Sequence, residues 1–325
     1  MSMIPFSKAA LEPGTQIGFS VYVPQGARHS VFRDAGELIT ADDLEELREL
    51  EYRALFVQEG DASAAWEYQA DRIEAITRDR ALTSKLRTEI VFHCAWTSVR
   101  HFAERPDRRT YETVARSAAA LIDVSARGLS VVLEIFRLAG IQEYDPTCSA
   151  HVAVLAAMIA RSMGSITTME LECLTIAGLL RDVGMTRLPQ EIRECRGRLT
   201  PRQRAEVREH VRHGCEILHA ARAGDPLVRR IIVEHHERVD GSGYPHGLVA
   251  DQIHPLGMIV AVADCFGALT THRSYRRPLA MYEGLRLMLE GEQGNFDVHV
   301  IKALVQLLSR APDVDLSREG GERAA

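Results

Sequence analysis

Residues 235–248 read HHERVDGSGYPHGL. Two adjacent imidazoles come first, followed by an acidic residue, a glycine-rich turn and a Tyr-Pro step. Neighbouring side chains on a helix project about 100° apart, so His235 and His236 can serve one site only at a helix end or between two metal ions. Residues 240–245 cannot continue a helix, because glycine costs about 1 kcal/mol and proline about 3 kcal/mol in a helix interior. The spacing therefore predicts a helix that ends just past the histidines and a tight loop that covers them.

Outward from this stretch the chain reads as helix after helix. Residues 150–163 are amphipathic and residues 169–180 strongly apolar. Thr200-Pro201-Arg202-Gln203 is a capping box with proline at the first helical position, and it predicts a helix running to about Ala221. Pro226 opens the helix that carries the histidine pair. Pro255 opens LGMIVAVADCFGALT, which is apolar nearly all round and so is expected to be buried. Residues 281–289 and 299–308 close the core, and the polar tail after Arg310 is expected to be disordered.

The N-terminal part differs. Residues 15–57 alternate short strand-like pieces with one helix: IGFSVYV, a turn at Pro24-Gln25-Gly26, HSVF, a helix from about Ala41 to Leu50 after Thr40, then RALFV. Residues 63–102 have a helical pattern that Pro106 breaks. A second helical pattern resumes over residues 111–140, with apolar residues at Val114, Ala118, Leu121, Ile122, Val132, Ile135 and Phe136. The expected organisation is a small α+β module over residues 1–60, a helical connector over 61–114, a helical domain over 115–312 and a tail over 313–325. The connector fits a state-transmitting element, a homodimer contact or ordinary packing helices equally well.

With 45 acidic and 39 basic residues, the 325-residue chain carries a formal charge of −6. No basic surplus exists to hold duplex nucleic acid by its phosphates, so any bound nucleotide is expected to be small and locally held. The six cysteines show neither a CxxC pair nor a disulfide framework, which fits reduced thiols in a cytoplasmic protein. No secretory signal pattern and no apolar run long enough to span a bilayer is present, so no membrane role is expected.

Six residues spread along the helical domain can ligate a metal: His151, Asp182, His210, His235, His236 and Asp264. Any one histidine alone reads as an ordinary core or surface residue. Together, imidazoles and carboxylates projecting inward from several helices suit iron, manganese or zinc rather than a thiolate site. Asp264 adds weight, since a carboxylate in the middle of an apolar helix is expensive to bury unless paired or metal-bound.

The stretch from about residue 115 to 312 resembles an HD-GYP domain, the metal-dependent phosphodiesterases of cyclic di-GMP signalling. The likeness rests on ordered motifs: DPTCSAH ending in His151, LLRDVGMTRLP in place of the His-Asp motif, RLTPRQRAEVREHVRHGCEIL bearing His210, HHERVDGSGYPHGL, and VADCFGALTTHRSYR beginning near Asp264. The resemblance implies a mainly α fold with an all-helical HD-type domain. It further implies one metal held by Asp182, His210, His235 and His236, and a neighbour held by His151, Asp182 and Asp264. Such a pair activates water and neutralises a phosphodiester. Arg273 and Arg276 match basic positions near the substrate phosphates, and Gly243, Tyr244 and Pro245 match the loop over the guanine nucleotide.

The motif departs from the family at Arg181-Asp182-Val183-Gly184-Met185, where histidine and lysine would stand at the first and last positions. A guanidinium has no lone pair to give a metal. A further glutamate ligand that some members carry would fall at Thr147. The expectation is one or two divalent ions, iron or manganese, and weakened hydrolysis of cyclic di-GMP to pGpG or GMP, with Arg181 as an electrostatic clamp beside Asp182. The alternative is an inactive module that binds cyclic di-GMP or a signalling protein partner.

Overall fold

The computed structural model describes residues 3–25, 28–49, 54–128, 131, 133–135, 150–164, 166–193, 195, 197–271, 278–291 and 295–310. The chain divides into two compact units, Met1–Val124 and Ser125–Ala325. The fold is mainly helical, with one small sheet, as the sequence suggests.

The first unit holds strands β1 (Met3–Phe6), β2 (Val21–Gln25), β3 (Arg28–Arg33) and β4 (Leu55–Gln58) in an antiparallel sheet ordered β1-β4-β2-β3. Alternation sets its buried face, with Val21 and Val23 of β2 and Leu55 and Val57 of β4 inside. Helix α1 (Ala41–Glu49) starts on a reciprocal cap. Asp43 N–H donates to Thr40 Oγ1 at 3.1 Å, and Thr40 N–H donates to Asp43 Oδ2 at 2.8 Å. Helices α2 (Ala62–Ala70), α3 (Ile73–Arg78), α4 (Ser84–Glu104) and α5 (Arg108–Ser125) follow, and α4 stops just before Pro106.

Three expectations change here. Pro24 and Gln25 are the last residues of β2, opposite His29 and Arg28, and Gly26, the last residue of the expected turn, lies outside the described residues. The strand expected from Ile17 begins only at Val21, and β1, four residues long with a proline inside, carries no strand signal of its own. The helical pattern of residues 111–140 is broken after Ser125, where Gly128 takes a φ of 119°. Residues 136–140 lie outside the described residues.

His93 on α4 stacks on Trp66 of α2 with ring centroids 4.6 Å apart, and burial pushes its pKa down to about 4. In the unfolded chain it titrates near 6.5. The folded state therefore disfavours the proton: this contribution is intact above pH 6.5 and is lost as pH falls from 6.5 towards 4. His93→Phe is expected to remove on the order of 3 kcal/mol of acid sensitivity from this unit. Trp66 fluorescence in denaturant melts at pH 7 and pH 4.5 measures it, and equal pH dependence in both proteins would refute it.

The second unit contains α6 (Ala150–Met163), α7 (Thr168–Leu180), α8 (Gln190–Arg193), α9 (Pro201–Arg208), α10 (His210–Ala220), α11 (Pro226–Glu234), α12 (Pro255–Thr270), α13 (Met281–Gly291) and α14 (Val298–Ser309). Capping boxes at Thr167/Glu170 and Thr200/Gln203 fix the starts of α7 and α9. Prolines open α11 and α12. The centre is α6, buried along most of its length, with α7 and α12 packed on it. Gly178 lets α7 approach closely, for a Cβ there would sit 2.8 Å from Ala153 Cα.

Two helix boundaries differ from expectation. The helix predicted to run from Pro201 to Ala221 breaks at Glu209, so His210 becomes the first residue of a new helix. The helix expected to end just past the histidines ends at Glu234, with His235 as its C-cap. Among the described residues, no helix is long and apolar enough to cross a membrane. The tail beyond residue 310, Cys148 and Thr147 lie outside the described residues.

Candidate metal centre

Three chain segments converge on one point. Helix α7 ends at Leu180, Arg181 caps it, and Asp182 begins the single turn Val183–Arg187. That turn lies directly against α10, because Gly184 has no side chain: a Cβ would collide with the His210 carbonyl oxygen and lie 2.5 Å from Gly214 N. His210 opens α10. His235 and His236 follow α11, where the end of the helix lets adjacent side chains face one site.

Among the described residues, Asp182, His210, His235 and His236 offer donor atoms that all lie within 4.8 Å of one another. His210 Nδ1 lies 2.6 Å from Val207 O, and His235 Nδ1 lies 2.7 Å from Ile232 O. Each Nδ1 therefore carries the proton, leaving a lone pair on Nε2. Those two Nε2 atoms are buried without a hydrogen-bond partner. They face Asp182 Oδ1 at 3.4 Å and 3.9 Å. Burial pushes the His235 pKa down to about 4 and the His236 pKa well below its ordinary value. Neutral imidazole lone pairs aimed at a carboxylate oxygen repel one another unless a cation lies among them. The donor set thus fits a divalent ion with nitrogen and oxygen preference.

Arg181 stands beside this cluster and is 2% exposed. Its Nε donates to Asp264 Oδ1 at 2.8 Å, its Nη2 lies 3.0 Å from Asp182 Oδ2, and its Nη1 donates to Gly178 O at 3.0 Å. The guanidinium thus bridges the two carboxylates that the resemblance assigns to a second ion. It also resolves how α12 carries a carboxylate in its apolar middle. His151 is buried on α6, where a Cβ on Gly267 of α12 would come within 3.0 Å of its ring. Neither His151 nor Asp264 belongs to the four-residue cluster.

The covering loop is fastened from inside. Glu237, 2% exposed, accepts hydrogen bonds from His246 N at 2.7 Å and Leu248 N at 2.9 Å. Gly243 lies so close to residues 237 and 238 that a Cβ would sit 2.5 Å from Glu237 Cα. This close approach seats Tyr244, whose ring stacks on His236 at 4.6 Å and 27°. Burial, then the charges of Asp182 and Asp264, push the Tyr244 hydroxyl pKa upward. Glu234 accepts from His254 N at 2.6 Å, tying the end of α11 to the start of α12.

Glu234, Glu237 and Gly184 are working parts of the centre beyond the expected ligands. Glu237 and Gly184 had a signal, since each lies within a motif and within two residues of a candidate ligand. Glu234 had none beyond its position before the pair. Arg273 and Arg276 lie outside the described residues.

An all-helical unit in which three imidazoles meet a shared aspartate carries a candidate His/Asp metal site. The sequence matches the HD domain family over residues 114–300, more than half of its length, and the chain belongs to that family. It is 34% identical over 199 residues to a cyclic di-GMP phosphodiesterase of Pseudomonas aeruginosa, covering 60% of this chain and 48% of the relative. It is also 34% identical over 205 residues to a cyclic di-GMP phosphodiesterase of Thermotoga maritima, covering 58% of this chain and 54% of that one. A 3′3′-cGAMP-specific phosphodiesterase of Vibrio cholerae is 35% identical over 159 residues, covering 49% and 30%. The chain spans about half the length of the first two relatives. A solved HDG"Y"P protein from Bdellovibrio bacteriovorus shares the fold, with a TM-score of 0.65 at 18% identity over 95% of this chain and 100% of that one.

Proposed function

We propose that this chain is a cyclic di-GMP phosphodiesterase of weakened activity, working with one divalent ion, iron or manganese, held by Asp182, His210, His235 and His236. The observation that carries the proposal is the Arg181 guanidinium between Asp182 and Asp264. It supports a single-ion centre, because the carboxylates that would share a second ion with His151 are neutralised by the protein itself.

When bound, the ion supplies Lewis acidity toward a phosphodiester oxygen. The chain does the remaining work. His210 and His235 hold their lone pairs on Nε2 through the bonds from Nδ1 to backbone carbonyls. Glu237 keeps the loop closed, so that Tyr244 excludes water over His236. Arg181 fixes Asp182 in place and adds a positive charge next to the scissile region. The Gly243-Tyr244-Pro245 loop, Arg273 and Arg276 are the proposed ligand-holding residues.

The same observation favours a second reading. Arg181 spends its donors on Asp264, Asp182 and Gly178, so its guanidinium is directed at protein groups rather than offered to a substrate. In that case the domain binds cyclic di-GMP without cleaving it and acts through a protein partner or a second copy of the chain.

Protein loaded with Fe2+ or Mn2+ and incubated with cyclic di-GMP, with 3′3′-cGAMP in parallel, is expected to release linear product slowly. Chelation and His235→Ala should each abolish that turnover. Binding without turnover above a metal-free control would establish the second reading, and neither binding nor turnover would overturn both.

A further inference from the structure

We infer, on the reading of the site proposed above, that Arg208 recognises the phosphodiester of a cyclic dinucleotide that does not lie at the Asp182–histidine cluster. Arg208 is the exposed last residue of α9. Its Cζ lies 4.8 Å over the Tyr244 ring, and that ring stacks on His236. Two groups cannot stack on the same face of one ring, so the guanidinium lies on the face away from His236. It stands one aromatic ring further out than the metal-ligand cluster.

Its charge is also uncommitted. Arg181 is held by two aspartates, Arg187 and Arg212 by Glu216, and Arg230 by Glu234. Among the described residues, Arg208 makes no ion pair with a carboxylate. A guanidinium braced on an aromatic face, with its edges open to solvent at the rim of a site, suits a phosphate, which it can bind through two oxygens at once.

The order of stacking, Arg208 on Tyr244 and Tyr244 on His236, decides which phosphate. A group seated among Asp182 and the histidines is a ring's width too deep for Arg208. A cyclic dinucleotide carries a second phosphodiester on the far side of its macrocycle, and that group lies outward when the first is at the cluster. Arg208 therefore distinguishes ligands with two phosphodiesters from those with one.

Calorimetric titration of metal-loaded wild type, Arg208→Ala and Arg208→Lys tests this. The probes are cyclic di-GMP and the single phosphodiester bis(p-nitrophenyl) phosphate. Arg208→Ala is expected to bind cyclic di-GMP at least about tenfold more weakly, with Arg208→Lys intermediate because an ammonium cannot stack or bind two oxygens. Affinity for the single phosphodiester, metal content and melting temperature should match wild type. Unchanged cyclic di-GMP affinity in Arg208→Ala, or equal loss of both ligands, would overturn the assignment while leaving the proposed function intact. Wild type that binds neither ligand would sink the proposed function and this assignment together.

Discussion

Arg181→His combined with Met185→Lys is expected to raise the metal content from one ion per chain to two and turnover by on the order of a hundredfold. The guanidinium now satisfies Asp264 and Asp182 at 2.8 Å and 3.0 Å and has no lone pair to give. Histidine at the same position would release both carboxylates and add a donor nitrogen beside them, with His151 near on α6. The release has a cost. Arg181 and its partner aspartates are 3%, 19% and 16% exposed in their side chains, so removing the cation leaves two carboxylates largely buried together. Without metal the double variant should lose about 3–5 kcal/mol of stability, and added metal should restore it by binding only the folded state. Arg181→Met separates the effects, since it breaks the ion pairs without supplying a ligand. It should be destabilised and still hold one ion. Elemental analysis after dialysis, melting curves with and without metal, and turnover give the three readouts. One ion per chain in the double variant, at an unchanged rate, would show that something other than Arg181 keeps the second ion out.

What could be read from the sequence follows how local each determinant is. The starts of α9, α11 and α12 are legible because a cap and a proline act within a few residues. The break at Glu209 is not, since the polar, amphipathic pattern runs straight through it. The break is set by where the α10 backbone must lie to meet Gly184. Strand β1 is too short to signal itself and exists through its pairing with β4, some fifty residues away in sequence. Pro24 reads as a turn because proline usually is one, yet it pairs in β2 with His29.

The metal centre divides in the same way. Asp182, His210, His235 and His236 can be named from motifs, and the altered residue at 181 can be seen to bring a positive charge. Its destination cannot be read, because the bond from Arg181 to Asp264 joins residues far apart in the chain and depends on how α7 and α12 pack. Glu237 stands in the motif beside His236, but what it fastens cannot be read, for a related reason. Its partners are the backbone N–H groups of His246 and Leu248, which carry no side-chain signal at all.

Gly184→Ala is expected to destabilise the second unit by about 3 kcal/mol and to weaken metal binding about 10- to 100-fold, although Gly184 is not a ligand. The added Cβ would run into the His210 carbonyl and stand 2.5 Å from Gly214 N, and both belong to the backbone of α10. No side chain can swing aside to relieve that contact, so the turn and the helix must separate. Asp182 sits at the start of the turn and His210 at the start of the helix, with His210 Nε2 and Asp182 Oδ1 3.4 Å apart. Any such separation opens this gap and moves the imidazole away from Asp182. Gly60→Ala provides the control, since nothing lies within 4 Å of a Cβ there and its φ is not in the left-handed region. It should change stability by less than about 0.5 kcal/mol. Denaturant melts and metal titration of both variants read the outcome. Wild-type metal affinity in a destabilised Gly184→Ala protein would mean that the turn relaxes without moving Asp182, so that the glycine serves packing alone.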